Sequence, residues 1–451
     1  MTQKQKPTEL IEFASEIRKE HGSKITRFEK GVSAFFDGRT FLHDEFAQYM
    51  LQRYQFVILD TDALHYFEKT HYVYIDMNKF RRIIVKDMPG ITESQRKEVC
   101  YSIMARAKQG KRSSPRYISL KNGVFDIETK KLDPNHDGYV ITNHIPVIYD
   151  KEAYSKDLNT FMNEISNNDK SIRKLLEESV GYGLYASAFM QKCFILYAPG
   201  SNGKSSWFTL LYQFFGEDNI TPLSLHDTQH EFKLFGLLNK MVAIGDDISA
   251  SRIEESENFK KLVTGDPINC NRKYQEPLPL KNYATLMYSS NQLPNIKDTT
   301  HGLYRRLIII PFMNTFSKDK GNLDLSINEK LDNHIVRSHL FNLAIEGLDR
   351  LLATKEFTEP EAVKKALQDY QKDNNIVVEF VEDVGINKVL NQDKQEVFEQ
   401  FSFWLDRNGL KKKSARYLTQ ELEKAYGLEV KQSSKRVNGI PKTIRIYKKV
   451  E

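Results

Sequence analysis

The residues best suited to chemistry lie in the segment CFILYAPGSNGKSSWF, residues 193–208. Within it, residues 198–205 read APGSNGKS and match the phosphate-loop pattern G-x-x-x-x-G-K-[ST], with Ala198 in place of the first glycine. In such a loop backbone N–H groups surround the phosphates, the lysine reaches the β and γ oxygens, and the next hydroxyl binds Mg²⁺. We therefore predict that Lys204 contacts phosphate and that Ser205 is a metal ligand. The residues predicted to bind the nucleotide are Pro199, Gly200, Ser201, Asn202, Gly203, Lys204, Ser205 and Ser206.

Secondary structure on both sides of this loop must hold it in place. FILY at residues 194–197 predicts a buried strand, and residues 206–215 predict a helix. This context favours a phosphate loop over an ordinary glycine-rich turn between a strand and a helix. Three more strand-like runs follow, KMVAIGDD, YATLMYSSN and RRLIIIPF, and they alternate with helical patterns. Residues 151–350 therefore read as an α/β nucleotide-binding core.

Polar side chains follow two of these strand-like runs. Asp246 and Asp247 follow MVAIG, where a carboxylate can hold Mg²⁺ and polarise the attacking water. We assign Asp246 to the metal and Asp247 to the water; the reverse assignment stays open, as does a simple pair of turn carboxylates. Asn291 follows ATLMYSS and can orient the water or sense the γ-phosphate. Together with Lys204, these residues predict ATP hydrolysis with ATP and Mg²⁺ as cofactors.

Two basic groups accompany the same core. Arg272, Lys273 and Tyr274 stand near the tip of a predicted hairpin, where cations and an aromatic ring suit contact with DNA phosphates and bases. A solvated surface turn is the alternative for this group. Arg305 and Arg306 come directly before a strongly apolar strand pattern. Paired arginines at that place are either a structural clamp or a finger that reaches the γ-phosphate bound by a neighbouring subunit.

Composition narrows the class of protein. The 451 residues carry 66 basic and 60 acidic side chains, a net charge of +6. Residues 392–451 alone hold 14 Lys/Arg and 8 Asp/Glu, so the basic excess is concentrated in the tail. Cys100, Cys193 and Cys270 are scattered, which supports neither a zinc knuckle nor a disulfide framework. No signal-peptide pattern and no membrane-spanning run are present, so we expect a soluble cytoplasmic protein with no membrane partner.

The chain divides into four predicted parts, and the fold class is multidomain α/β. Residues 1–150 mix helices and aromatic-rich strands in an α+β domain for oligomerisation or DNA handling. Asp60 and Asp62 could form a polymerase-type metal pair, but strand-end carboxylates are favoured because no third acidic partner stands at useful spacing. The nucleotide-binding core at 151–350 follows, and a charged helical connector occupies residues 351–379.

The fourth part, residues 380–451, has the pattern of a winged helix-turn-helix. QEVFEQFSFWLDRNG and SARYLTQELEKAYG are amphipathic, and Ser414 suits the N-cap of the second helix. LEVKQSS and TIRIYKKV flank Asn438-Gly439 as the strands of a hairpin. We expect the helix after Ser414 and the lysine-rich hairpin to contact DNA. A small basic packing domain without a ligand is the alternative.

The order of these motifs resembles the superfamily 3 helicases. It runs from Lys204-Ser205 through Asp246-Asp247, KKLVTGD, the hairpin and SSNQLP to YRRLIIIPF. The closest likeness is to the phage and plasmid primase-helicase type, which includes poxvirus and staphylococcal pathogenicity-island replication proteins. KNGVFDIETKKLDP and EVFEQFSFWL are similar to that subgroup, so the resemblance covers about residues 100–451. Two departures are Ala198 in place of glycine and an Asp-Asp pair in place of a pair that contains glutamate.

The resemblance implies an AAA+ ring, a hexamer with ATP sites between subunits, that moves 3′ to 5′ and recognises its own origin. By position, Asn291 resembles sensor 1, Arg306 the arginine finger, and Lys273 and Tyr274 the hairpin that grips one strand. The implied function is an ATP-dependent replicative DNA helicase and origin-binding initiator of a phage or mobile element. Its partners would be single-stranded and forked DNA, and a separate primase is a further candidate. No primase core is visible at the N-terminus, so priming is not carried over from the resemblance.

Two rival functions remain at this stage. One is a DNA-binding initiator or scaffold that uses ATP only as an assembly switch. The other is a DNA-packaging ATPase, which the winged-helix pattern and the lack of a nuclease-like acidic cluster disfavour. Strand displacement separates the helicase from the first rival, because a scaffold would bind DNA and hydrolyse ATP slowly without separating strands.

Overall fold

The computed structural model describes residues 32–59, 63–248, 253, 255–272, 275–296, 301–437 and 440–449. These residues form fifteen α-helices and nineteen strands, and the strands make six sheets. The mixed α/β class predicted from the sequence is confirmed. No described helix is long and apolar enough to cross a membrane.

An N-terminal unit is built from helices packed on a small sheet. Its helices are α1 (His43–Tyr54), α2 (Met77–Asp87) and α3 (Glu93–Arg106), and its strands are β1 (Phe36–Asp37), β2 (Thr40–Phe41), β3 (Val57–Leu59), β4 (Ala63–Glu68), β5 (His71–Tyr74) and β6 (Lys108–Gln109). The sheet order is β5-β4-β3-β6. α3 begins in a capping box, because Thr92 accepts a hydrogen bond from the N–H of Gln95 and the Gln95 side chain accepts one from the N–H of Thr92.

A second sheet connects this unit to the rest of the chain. Its strands are β7 (Tyr117–Leu120), β8 (Gly123–Asp126), β9 (Lys131–Asp133) and β10 (His144–Ile145), in the order β10-β7-β8-β9. The β7–β8 hairpin turns at the predicted Asn122-Gly123, where Gly123 has φ +145°. Apolar side chains of this sheet pack in one core with residues much later in the chain, the last of which are Leu351 and Val363. The predicted boundary at residue 150 therefore falls inside a continuous core.

The central unit is a five-stranded parallel sheet covered by helices. Its strands are β11 (Cys193–Tyr197), β12 (Ile220–Pro222), β13 (Val242–Gly245), β16 (Thr285–Ser290) and β17 (Leu307–Pro311). Around it lie β14 (Pro267–Arg272), β15 (Gln275–Lys281), α4 (Lys156–Ile165), α5 (Lys170–Leu184), α6 (Lys204–Phe215), α7 (Glu231–Leu234), α8 (Glu257–Thr264), α9 (His301–Tyr304), α10 (Ile327–Leu331) and α11 (His334–Thr354). The sheet order is β12-β13-β16-β11-β17, and every neighbouring pair is parallel. The carboxyl ends of all five strands therefore meet at one edge of the sheet.

The last elements are α12 (Glu361–Asp373), α13 (Ile376–Val384), α14 (Lys394–Arg407), α15 (Ala415–Tyr426), β18 (Leu428–Val437) and β19 (Ile440–Lys449). The predicted connector at 351–379 divides between two units. α12 packs on the central unit, where the hydroxyl of Tyr370 donates to the carbonyl of Pro294 at 2.6 Å. α13 instead joins the C-terminal core, in which Val377 and Phe380 are fully buried. The apolar face of α13 thus places the start of the C-terminal unit at residue 376.

Candidate nucleotide-binding site

The strand order brings the polar residues of three segments to one place. β16 lies between β11 and β13, so the loop after β11, the carboxylates after β13 and the asparagine after β16 emerge side by side. They line a cleft of about 560 Å³ at the carboxyl edge of the sheet. Clefts at this edge of parallel α/β sheets are the usual place for ligand binding.

The loop between β11 and α6 has a backbone that exposes its N–H groups. φ is positive at three of its positions, +137° at Gly200, +52° at Ser201 and +84° at Gly203. A Cβ added at Gly203 would come within 2.9 Å of the Ile165 side chain, so glycine is required there. Asn202 is buried and holds the turn, because its Oδ1 accepts from the N–H of Gly200 at 2.9 Å and its Nδ2 donates to the carbonyl of Asn314.

Ala198, the departure from the phosphate-loop pattern, fits its position. It is 2% exposed, and its N–H donates to the carbonyl of Ser290 at 3.2 Å. Ala198 is not among the described residues with positive φ, and the first of these in the loop is Gly200. A residue with ordinary φ needs no glycine. The alanine is therefore compatible with the loop geometry.

Lys204, the first residue of α6, reaches from the loop toward the third strand. It is 7% exposed, and its Nζ donates to the carbonyl of Ala198 at 2.8 Å and to Oδ1 of Asn291 at 3.0 Å. Burial lowers the pKa of Lys204, and the nearby carboxylates of Asp246 and Asp247 oppose that shift. A partly desolvated ammonium facing a cleft gains free energy when an anion binds beside it.

The two aspartates are held by side chains of the neighbouring strand. Oδ1 of Asp246 accepts from the hydroxyl of Ser289, and that hydroxyl oxygen accepts from the N–H of Asp247 at 2.9 Å. Nδ2 of Asn291 donates to Oδ1 of Asp247 at 3.1 Å. Both carboxylates are exposed to the cleft. A continuous set of hydrogen bonds thus joins Lys204, Asn291 and Asp247, with Asp246 attached through Ser289.

Most of the predicted nucleotide ligands line this cleft. Seven of the eight do so, from Gly200 through Ser206; Pro199 does not. Ser205 and Asp246, the predicted metal ligands, both line it. Ser289 was not predicted as a site residue, although the alternation of side chains along a strand places it on the same face as Asn291 and could have indicated it.

The arginine pair lies at the opposite edge of the sheet. The N–H of Cys193 donates to the carbonyl of Arg306 at 2.8 Å, which places both residues at the amino ends of β11 and β17. β11 is five residues long, which at about 3.3 Å per residue separates the arginines from the loop of their own chain by roughly 16 Å. Arg305 is exposed, and the guanidinium of Arg306 donates to the carbonyl of Gly302. Neither arginine joins the cleft of its own chain.

The predicted DNA contacts are only partly described. β14 and β15 pair as an antiparallel hairpin, and the backbone of Arg272 closes the last described pair with Gln275. Lys273 and Tyr274 lie outside the described residues, as do Asp60 with Asp62 and the predicted turn at Asn438-Gly439.

Comparison with known families gives two partial matches. A model described as "D5 N terminal like" matches residues 47–167, and one described as "Family of unknown function (DUF5906)" matches residues 196–306. The second range contains the phosphate-loop lysine, both aspartates, Asn291 and the arginine pair. Neither range covers half of the chain.

The chain is also similar to parts of two kinds of viral protein, a putative helicase and replication protein E1. The chain is 28% identical over 214 residues to a putative helicase of Acanthamoeba polyphaga mimivirus, a match over 45% of this chain and 22% of that protein. It is 28% identical over 138 residues to replication protein E1 of human papillomavirus 30, over 30% of this chain and 21% of that protein. The chain thus spans about a fifth of the length of these relatives.

Solved structures of the NrS-1 C-terminal region are also similar to this chain. One has a TM-score of 0.49 at 13% identity, and it covers 87% of this chain and 95% of its own. Another has a TM-score of 0.47 at 15% identity, with the same coverage of both chains.

Proposed function

We propose that the chain is an ATP-dependent DNA helicase and origin-binding initiator that acts in the replication of a phage or mobile element. It has an AAA+ core, works as a ring, here taken as a hexamer, and moves 3′ to 5′ on single-stranded DNA. The observation that carries the proposal is the convergence of Lys204, Asp246, Asp247 and Asn291 on one cleft beside a glycine-rich loop. The similarity to a putative helicase of a virus supports this activity, and the similarity to papillomavirus replication protein E1 supports a role in replication.

In the proposed mechanism each residue of the cleft acts on a different part of the nucleotide. Backbone N–H groups of the loop and the ammonium of Lys204 bind the β- and γ-phosphates. Ser205 and Asp246 would hold Mg²⁺, which neutralises charge on the phosphate oxygens. Asp247 polarises the attacking water, and Asn291 fixes the direction of that carboxylate through the hydrogen bond that it donates.

Two assays on the purified protein test this function. ATP hydrolysis is expected to increase when single-stranded DNA is added, and a forked duplex is expected to separate only when ATP and Mg²⁺ are present. A protein that uses ATP only as an assembly switch would bind the fork and hydrolyse ATP slowly while the strands stayed paired. That result would contradict the helicase proposal.

We further propose that Arg306 completes the site of a neighbouring subunit. The length of β11 separates the arginines from the loop of their own chain by about 16 Å. One chain therefore cannot bring both Arg306 and Lys204 to the same phosphate. A ring solves this geometry if the amino edge of one sheet faces the carboxyl edge of the next. Arg306 would then stabilise charge on the γ-phosphate from across the interface.

Mixing inactive subunits tests this arrangement. Arg306→Ala and Lys204→Ala proteins are each expected to be inactive, whereas mixed assemblies should recover part of the ATPase activity. Recovery is expected because some interfaces then pair an intact Lys204 with an intact Arg306. Mixing Lys204→Ala with Asp247→Asn is the matched control, since both changes affect the same side of the interface and no intact site can form. No recovery in verified mixed assemblies would favour a structural clamp.

The C-terminal unit supports the proposal of a winged helix. α13, a short bridge between Leu390 and Tyr447, α14, α15 and the β18–β19 hairpin follow one another in the order of that fold. Ser414 caps α15 as the sequence predicts, because its hydroxyl accepts from the N–H of Tyr417 at 3.1 Å. Exposed cations stand on and beside this helix, among them Lys412 and Arg416. We propose that this surface binds duplex DNA at the origin.

Separate variants distinguish the two proposed DNA contacts. Lys273→Ala should leave basal ATP hydrolysis unchanged, because it touches no predicted phosphate ligand, and should suppress unwinding and stimulation by single strands. Lys281→Ala, an exposed lysine at the base of the same hairpin, is the matched control and should unwind normally. Each lost phosphate contact should reduce the salt slope of single-strand binding by roughly 0.7.

Truncation after Asn374 should have the converse effect. It keeps α12 and the Asn374 side chain, whose Nδ2 donates to the carbonyl of Ile296 at 2.7 Å, and removes the whole C-terminal unit. Origin-specific binding should be lost while some unwinding of a fork with a free single-stranded tail remains. If truncation alone stopped unwinding and Lys273→Ala had no effect, the tail rather than the hairpin would grip the DNA.

A further inference from the structure

The nucleotide cleft extends beyond the phosphate loop into a region that the phosphate chemistry does not use. This region lies between the end of α4 and the segment that follows β17. Its walls include the rings of Phe161 and Phe316 and the side chain of Ile327. The two rings pack directly behind Gly203, where an added Cβ would meet Phe316 at 3.2 Å and Phe161 at 3.9 Å. An apolar slot thus begins where the phosphate-binding turn ends.

Glu164 brings a carboxylate into the same region. It stands three residues after Phe161 on α4, is half-buried and lines the cleft. Within the described part of the chain, its carboxylate has no hydrogen-bond or ion-pair partner. Burial raises the pKa of Glu164, and the nearby carboxylate of Asp324 raises it further. A half-buried carboxylate beside a second one is stabilised by any donor that a ligand supplies.

Asp324, the second carboxylate of this region, is already engaged. Its Oδ2 accepts from Nζ of Lys330 at 2.6 Å, and its Oδ1 accepts from the N–H of Ser326 at 3.0 Å. These contacts hold the pKa of Asp324 at about 2. Glu164 is therefore the carboxylate of the pair that is available to a bound molecule.

We propose that Glu164 selects the nucleoside part of the bound triphosphate. The base lies against Phe316 and Ile327, which are partly exposed in the cleft, and the carboxylate of Glu164 accepts a hydrogen bond from a neutral donor of the nucleoside. The exocyclic amine of the base and the ribose 2′-hydroxyl share this chemistry. The inference rests on the proposed function, since it requires that the triphosphate bind at Lys204.

The experiment compares three nucleotides on the full-length protein. ATP offers both donors, purine riboside 5′-triphosphate lacks the exocyclic amine, and 2′-deoxy-ATP lacks one ribose hydroxyl. We expect one of the two analogues to bind the unmodified protein roughly tenfold more weakly than ATP, the usual effect of a hydrogen bond to a charged group. The analogue that loses affinity identifies the donor.

Variants at Glu164 connect that difference to the carboxylate. Glu164→Leu should bind ATP about as weakly as the unmodified protein binds the deficient analogue, roughly a tenfold loss, and should no longer distinguish the two. Glu164→Gln keeps one acceptor oxygen and should retain part of the selectivity. Glu329→Leu, which removes an exposed carboxylate of α10 that does not line the cleft, is the control and should bind like the unmodified protein.

The outcomes separate this inference from the function on which it rests. If Glu164→Leu left the affinity ratios of the three nucleotides unchanged, or if the unmodified protein bound all three equally, selection by Glu164 would be overturned. If Lys204→Ala bound ATP as tightly as the unmodified protein, the nucleotide site itself would be misplaced. A melting temperature measured for each variant without nucleotide confirms that a loss of affinity is not a loss of folding.

Discussion

Lys204→Ala is expected to lower the rate of ATP hydrolysis by roughly 100- to 1,000-fold, the range measured when one preorganised transition-state donor is removed. The ammonium stands at the start of α6, where it faces Asn291 and the carboxylates across the cleft. Charge that builds on the transferred phosphoryl group is then left without its nearest cation. The fold should be unaffected, because burial already disfavours this charge, as the lowered pKa of Lys204 indicates.

Lys240→Ala provides a matched control for this prediction. Nζ of Lys240 donates to the carbonyl of Asp218 at 2.7 Å, much as Nζ of Lys204 donates to that of Ala198 at 2.8 Å. Burial also lowers the pKa of Lys240, but this lysine does not line the cleft. Steady-state hydrolysis and a thermal melt on both variants should show loss of activity for position 204 alone. Equal activity of the two variants would refute the assignment of the phosphate loop.

The strands that carry the site could be predicted because each is a short apolar run with a polar end. FILY, VAIG and TLMYSS are found in β11, β13 and β16, and RRLIIIPF contains β17. Buried parallel strands lack the alternation of apolar and polar residues that half-exposed strands show. The useful signals were therefore the length of each apolar run and the polar residues that end it. Lys204, Asp246, Asp247 and Asn291 follow these strands in the sequence. They line one cleft because the strands are parallel and their carboxyl ends lie side by side.

What the sequence could not provide is the set of contacts between segments distant in the chain. Nothing near Phe161 or Glu164 in the sequence indicates chemistry, since α4 reads as an ordinary amphipathic helix. These residues reach the cleft only because α4 packs beside the segment after β17, where the Nδ2 of Asn314 donates to the carbonyl of Glu164 at 3.2 Å. The strand order likewise decides that Arg306 stands far from its own loop. Pairing of this kind is tertiary information, which spacing along the chain does not contain.

The boundary of the C-terminal unit differs from prediction for a related reason. The first half of the run NIVVEFVEDV, residues 375–379, was predicted to belong to the charged connector, and only the second half to the C-terminal unit. In the structure the Asn375 side chain accepts from the N–H of Val377 at 2.9 Å and caps α13, while its Nδ2 donates to Glu421 at 2.8 Å. The helix therefore belongs with α15. The charged composition of the connector as a whole concealed the apolar face of α13, which the burial of Val377, Phe380 and Val381 shows.

Asp247→Asn is expected to reduce hydrolysis by roughly 100- to 10,000-fold, the usual contribution of a general base, while Mg²⁺-dependent binding of ATP persists. The reason is the hydrogen bond from Nδ2 of Asn291, which orients this carboxylate in the cleft. Asp246 has a different setting, because its Oδ1 already accepts from Ser289 and we propose that its carboxylate binds Mg²⁺ together with Ser205. Asp246→Asn should therefore weaken ATP binding in the presence of Mg²⁺ and leave metal-free binding unchanged.

Binding and single-turnover hydrolysis, each measured with and without Mg²⁺, separate the two aspartates. Ser289→Ala serves as a third variant, since the Ser289 hydroxyl contacts Oδ1 of Asp246 and the N–H of Asp247 and we propose no direct role for it in the nucleotide chemistry. It should slow hydrolysis less than either aspartate change, because both carboxylates remain. If Asp246→Asn abolished turnover with metal-dependent binding intact, and Asp247→Asn removed the effect of Mg²⁺ on binding, the two roles would be exchanged. The hydrogen bond from Asn291 would then orient a metal ligand instead of the group that activates water.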